Sequence, residues 1–334
     1  MLNTKSSRAG SIASIAVSIV LLGVAAAAVL NRQYIFDQVT VWQYEPSAQL
    51  QTMSERASLS EKGEFYLYAS QPVITTADEF NTVCERQESG SAVLGCYTNG
   101  RIYVYDVPND QLDGVEEVTT AHEMLHAAWQ RTSDQERTRV AALLEEAYAG
   151  LNDPELNERL DYYARTEPGE RSNELHSILA TEYAVLGDEL EEYYSQYFID
   201  RSKVVALHAG YEAVFNDLKA QSEALSAEMS VLKQRIDEQT AAYNAEAAAI
   251  TDAINALNRE SQTVDRSDSS AVNAFNAKRQ EVLRRIDALT ITKNDTNADV
   301  ALYNEKVKQF NALVTSVNEL TQSLDSTLTE TPDL

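Results

Sequence analysis

Basic residues are scarce in this chain: 27 Lys and Arg stand against 52 Asp and Glu, a formal net charge of -25. Binding to DNA or RNA draws on clustered cations facing the phosphate backbone, so no nucleic acid is expected as a partner. No glycine loop of the nucleotide-binding kind is present. Histidine occurs only four times and cysteine only twice, as Cys84 and Cys96. From Val204 onward there is one glycine, Gly210, and one proline, Pro332, so little interrupts a helix there. What the chain does have is 44% hydrophobic residues over 334 positions. That is enough for a real core in about two domains and excludes disorder of the whole chain.

Lys5 and Arg8 precede an uncharged run from Ser11 to Leu30, "SIASIAVSIVLLGVAAAAVL". Twenty residues at helical rise span the ~30 Å hydrocarbon core of a bilayer. Positive charge before the run places the N-terminus inside and everything from Asn31 onward outside the cytoplasm. The alanines at 25 to 28 leave a cleaved signal peptide as the rival reading. Either reading exports the remainder, where two cysteines separated by eleven residues are expected to be oxidised to a Cys84–Cys96 disulfide.

Residues 1–31 are therefore read as cytoplasmic N-terminus and signal anchor, and 32–63 as a mostly polar stalk with room for helical turns. "EFYLYAS" at 64–70 is a strand candidate because of its aromatic residues, "TADEFNTVCER" at 76–86 a short helix, and "AVLGCYTNGRIYVYDV" a hairpin turning at Asn99-Gly100. These segments predict a small antiparallel sheet. Helices follow: Ala121, Leu125, Ala128 and Trp129 share a face, Ser133 with Glu136 forms a capping box, Gly150 is a stop, and Asp153-Pro154 opens the next helix. "RSNELHSILATEYAVLGDELEEYYSQYF" reads as one or two more. Residues 64–204 thus form one α+β domain.

Residues 205–334 carry a seven-residue repeat. Tyr211, Leu218, Leu225 and Leu232 form one row beside Phe215, Met229, Ile236 and Tyr243, and the pattern restarts after "RESQTVDRSDSS" with Phe275, Val282, Leu289, Tyr303 and Phe310. Two helices of roughly 75 Å each joined by a short polar loop make an antiparallel coiled-coil hairpin. Pairing with another chain, as a homo-oligomer or with a coiled-coil partner, satisfies the same pattern.

The chemistry-bearing stretch is "TTAHEMLHAAWQ". His122 and His126 are spaced i, i+4, so on a helix both imidazoles project from one face and can grip one metal ion. Glu123 lies about 100° round that helix, placed to act as general base towards a metal-activated water without itself becoming a ligand. "HEMLH" resembles the HExxH helix of the zincin metallopeptidases, and "RIYVYDV" before it is similar in placement to that family's sheet-edge strand, which lines the cleft and pairs with extended substrate. The resemblance spans about residues 64–203. It implies zinc (Zn2+) as cofactor, a polypeptide substrate and peptide-bond hydrolysis.

A catalytic zinc needs a third protein ligand and an open position. The HExxHxxGxxH form is absent, since Trp129 and Thr132 stand at its glycine and third histidine. The gluzincin pattern, a glutamate on a later helix followed three residues on by a small residue, resembles Glu174 with Ser177. Ile178 departs from the Asp or Asn that in many relatives braces a histidine ligand. Glu174 is the first choice as third ligand, with His176 and Glu182 as competitors about 200° and 80° away on a helix. His208 is expected to be structural or exposed. An oxyanion-stabilising tyrosine is common in such enzymes, and the candidates are Tyr183 and the pairs Tyr162/Tyr163 and Tyr193/Tyr194. The expectation is a membrane-anchored extracytoplasmic zinc peptidase. Its alternative is a surface-tethered coiled-coil interaction protein whose metal site is structural or vestigial.

Overall fold

The computed structural model describes residues 7–84 and 93–327, and for 7–15 the backbone alone. In chain order the elements are α1 (Ser7–Leu30), α2 (Arg32–Gln43), α3 (Ala48–Arg56), α4 (Glu61–Ala69), β1 (Val73–Thr75), α5 (Ala77–Val83), β2 (Gly95–Thr98), β3 (Arg101–Tyr105), α6 (Val115–Arg131), α7 (Asp134–Gly150), α8 (Pro154–Thr166), α9 (Arg171–Glu182), α10 (Asp188–Tyr194), α11 (Ser202–Glu260) and α12 (Ser269–Leu324). The chain is mostly helical and divides into two compact units, one of residues 1–214 with 320–334 and one of residues 215–319.

Among the described residues no single helix is long and apolar enough to cross a membrane. Ala16–Leu30 and Arg32–Gln43 meet that length and composition only as a pair, bent by 72°.

In the first unit, residues 32–63 are built into the fold rather than standing apart as a stalk. Leu50, Met53, Ala57 and Leu59 belong to the main core, and their helical spacing was masked by the polar residues between them. Asp37 of α2 is buried and receives two hydrogen bonds from Arg131, from Nε and Nη2, each at 2.9 Å. The expected strand at 64–70 is helical. Ser60 caps α4 by accepting from the Gly63 N–H, and Leu67 goes into the core while Phe65, Tyr66 and Tyr68 are only half-buried. The aromatic content that reads as strand propensity is outweighed by the cap and by packing. Gly63 permits the close approach, because a Cβ there would stand 2.4 Å from the Tyr197 carbonyl oxygen.

The sheet is mixed, not purely antiparallel. Its order is β1-β3-β2, with β1 parallel to β3 and β2 antiparallel to it. The hairpin turns where expected, with Asn99 and Gly100 both at positive φ (52° and 77°). Beyond it, Ser133 and Asp153 cap α7 and α8. The long segment after Gly169 splits into α9 and α10, and Arg201 donates to the Ala180, Tyr183 and Ala184 carbonyls at the end of α9. The helix expected over 76–86 is seen as α5, its last two residues lying outside the described ones.

The second unit is a helix pair within one chain. Glu228–Lys306, Arg235–Asp299 and Glu246–Arg285 link α11 to α12, one number rising as the other falls, which is antiparallel pairing. Leu232, Ile250 and Val282 are its buried seam. The end of α12 belongs to the first unit, where Asn109 Nδ2 donates to Ser323 Oγ and Asn81 Nδ2 to the Ser326 carbonyl.

Candidate metal centre

α6 runs through the middle of the first unit. Ala121, Met124, Leu125, Ala127 and Ala128 have no exposed surface, whereas Thr119, His122, Glu123 and His126 line a cleft of ≈ 1160 Å³. A 3.6-residue period thus divides one helix between core and cleft. α9 packs across α6 at Ser177, a fully buried small residue whose Oγ lies 3.2 Å from His122 Nε2 and 3.5 Å from His126 Nε2.

This crossing brings Glu174 to the histidines. Its Oε2 is 3.8 Å from His122 Nε2 and its Oε1 is 3.6 Å from His126 Nε2. These distances are too long for hydrogen bonds. They are close to the ~3.4 Å that separates two ligand atoms each about 2.1 Å from one tetrahedral zinc. Glu174 is buried, and its Oε2 has no hydrogen-bond partner, a costly arrangement unless a cation completes it. His122, Glu123 and His126 offer ligand atoms all within 4.8 Å of one another. Two imidazoles and a carboxylate are a donor set suited to zinc, so the residues fit the ion.

The buried groups of the centre shift one another, and for His122 the shift favours a metal donor. Burial, with His126 beside it, pulls His122 well below its ordinary pKa, which leaves a neutral ring with a lone pair to give. Burial also opposes charge on His126, but Glu174, Glu123 and Asn173 outweigh it and raise that pKa. Glu174 is raised by burial despite His126, and burial lifts Glu123 to about 7.

A brace for His126 is present where the sequence reading did not place one. Asn173 Oδ1 lies 3.0 Å from His126 Nδ1, and Asn173 Nδ2 donates to Glu170 Oε2. With its proton on Nδ1, His126 presents Nε2 to the centre. Ile178 is fully buried among core residues. A signal existed, since an amide directly precedes Glu174 in the sequence, but its meaning depends on how α9 crosses α6.

The two competing ligands are engaged elsewhere. His176 sits among Trp129, Tyr193, Tyr194 and Tyr197, its Nε2 3.0 Å from Tyr193 Oη and its pKa held down to about 3 by burial and then by His126. Glu182 is gripped by both terminal nitrogens of Arg159, at 2.6 and 2.8 Å, and lies 3.6 Å from His208 Nε2. Of the tyrosine candidates, Tyr183 donates to Asp153, Tyr194 to the His176 carbonyl, and Tyr193 meets His176. Tyr162 and Tyr163 line the cleft, and burial followed by Glu174 raises the Tyr163 pKa, which keeps its hydroxyl protonated.

The cleft's edge strand is β2, not β3, which is central. The Leu94 carbonyl accepts from Tyr105 of the β3 side, so the alternate residues Gly95 and Tyr97 turn their backbone groups outward. The Tyr97 backbone on that side favours the charged form of the Glu123 carboxylate, a small effect beside its burial. A Cβ on Gly95 would stand 2.8 Å from Glu123 Cγ and 2.6 Å from Thr119 Cγ2, so only glycine lets the strand pass so close. The Cys84–Cys96 disulfide, as expected, ties this strand to the end of α5. The chain matches no known protein family, no curated protein and no solved structure.

Proposed function

We propose that the first unit is a zinc-dependent peptidase of the gluzincin kind, held at a membrane by its N-terminal helix and working outside the cytoplasm. The observation that carries this reading is the meeting of His122 and His126 with Glu174, whose buried Oε2 is otherwise unpartnered. His122, His126 and Glu174 would hold the ion. When bound, zinc supplies a Lewis acid that polarises the scissile carbonyl and acidifies water.

The remaining tasks fall to side chains of the cleft. Glu123, lifted to about 7 by burial, accepts a proton at its carboxylate from the attacking water and returns it to the leaving amine. Tyr163, protonated and lining the cleft, can donate to developing negative charge on the carbonyl oxygen. The outer edge of β2 offers backbone groups to an extended polypeptide. The Cys84–Cys96 disulfide supports an oxidising compartment.

The test is to measure zinc in the purified protein and to compare it with Glu123→Gln on an unbiased peptide mixture. Zinc at about one per chain in both, with cleavage by the parent alone, is the expected result. Absence of zinc from the parent overturns the reading, and zinc in both without cleavage favours an interaction protein built around the helix pair.

A further inference from the structure

The face of α2 turned away from the domain is apolar. Asp37, Thr40, Val41 and Tyr44 are its buried or half-buried side, with Asp37 fixed to Arg131 of α6 and Tyr44 Oη donating to the Pro72 carbonyl. On the opposite side Ile35, Val39 and Trp42 follow at i, i+4 and i+7, all exposed, with Phe36 beside them and Trp42 86% exposed. In a helix packed on a soluble domain the apolar stripe faces inward, and here a second stripe faces out. Immediately before it, every described side chain of α1 from Ala16 to Leu30 is exposed and none is charged. The two helices meet at 72°.

We propose that α2 lies in the headgroup layer of a lipid bilayer, with Ile35, Val39 and Trp42 immersed and the domain on its other face. A second copy of the chain covering the α2 stripe would leave α1 apolar on all sides in water, whereas a bilayer receives both. With α1 entering the bilayer, a 72° bend turns α2 nearly into the membrane plane, the attitude of an amphipathic interfacial helix. Trp is a side chain that favours that depth. The Asp37–Arg131 pair keeps α2 on the domain and prevents it from following α1 into hydrocarbon. With a net charge of -25, the contact rests on apolar burial rather than on attraction to anionic lipid.

The consequence for the cleft is positional. Gln33, Phe36, Asp37 and Thr40 of α2 are part of its wall, so the cleft is held beside the lipid surface and receives polypeptide segments close to the membrane. That consequence rests on the peptidase reading; the lipid contact rests only on α1 entering the bilayer.

The experiment reconstitutes the full chain into phosphatidylcholine vesicles. Trp42 and Trp129 are its two tryptophans, and Trp129 is buried, so the difference between the parent and Trp42→Ala isolates the Trp42 emission. Phosphatidylcholine brominated near the glycerol end of its chains should quench that emission more than phosphatidylcholine brominated near the chain ends. Trp42 emission should also be blue-shifted and shielded from iodide. Water-like emission quenched by iodide overturns the proposal. So does stronger quenching by the deep bromines, which would make α2 part of a broken span, and so does a blue-shifted emission that neither lipid quenches, which would mean protein covers the face.

Discussion

Asn173 reaches His126 across the junction of two helices, and the reach has a measurable consequence. Its Oδ1 accepts from His126 Nδ1–H at 3.0 Å, which fixes the tautomer with the free lone pair on Nε2. Replacing such a brace typically costs 10–100-fold in metal affinity, so Asn173→Ala is expected to weaken zinc binding by about that factor. Asn173→Asp, which keeps an acceptor at the same place, should retain it. Competition against a chromophoric chelator gives both values. The relation of His122, Glu123 and His126 was readable in the sequence because it needs only helical spacing, whereas Glu174 was singled out from His176 and Glu182 through the resemblance of Glu174 and Ser177 to the gluzincin pattern. Asn173 was not, because its partner sits 47 positions away and the contact depends on where α9 crosses α6. The same limit hid the true engagement of His176 and Glu182: helical direction said that they point away from Glu174, and only packing says towards what.

At the scale of elements, β2 and α2 carry the consequences. Gly95 lets the edge strand pass over Glu123, and a Cβ there would meet Glu123 Cγ at 2.8 Å. Gly95→Ala should therefore displace β2 or the carboxylate, lowering the proposed peptidase activity at least tenfold while leaving zinc content unchanged; over-packing of this kind typically destabilises by about 1–3 kcal/mol. Equal loss of zinc would show that the strand holds the ligands too. α2 depends on a buried ion pair, and Asp37→Ala leaves the Arg131 guanidinium buried without its carboxylate. Breaking such a pair from one side costs about 3–5 kcal/mol, so urea unfolding should show a loss of that order, and Asp37→Asn a smaller one. The Asn99-Gly100 turn and the caps at Ser133 and Asp153 were legible because each is a local pattern with one geometric solution. The run from Glu64 to Ser70 was not, because aromatic residues suit strands and half-buried helices alike, and the choice was made by Ser60 and by Leu67 entering the core. The packing of residues 32–63 into the domain escaped for a related reason, since Leu50, Met53 and Ala57 are few apolar positions among many polar ones and become a core face only once α6 lies against them.

For the whole molecule, the repeat of residues 205–334 left open whether the long helices pair within a chain or between chains, and α11 and α12 are paired within one. The turn between Glu260 and Ser269 is short, so the loop-closure cost is small and grows slowly with length. Once α11 is formed, its own α12 is present at an effective concentration in the millimolar range, above any ordinary working concentration of a second chain. The cross-helix ion pairs are too exposed to contribute much, which leaves Leu232, Ile250 and Val282 to hold the seam while the charges favour one register. An intramolecular pair unfolds without a change in molecularity. The thermal midpoint of the helical signal is thus expected to stay constant on about a hundredfold dilution, whereas a midpoint that rises with protein concentration would place the pairing between chains. Following the same melt in Leu232→Ser separates the units: a lower midpoint with zinc content unchanged is the outcome for a seam that stabilises residues 215–319 without building the metal centre.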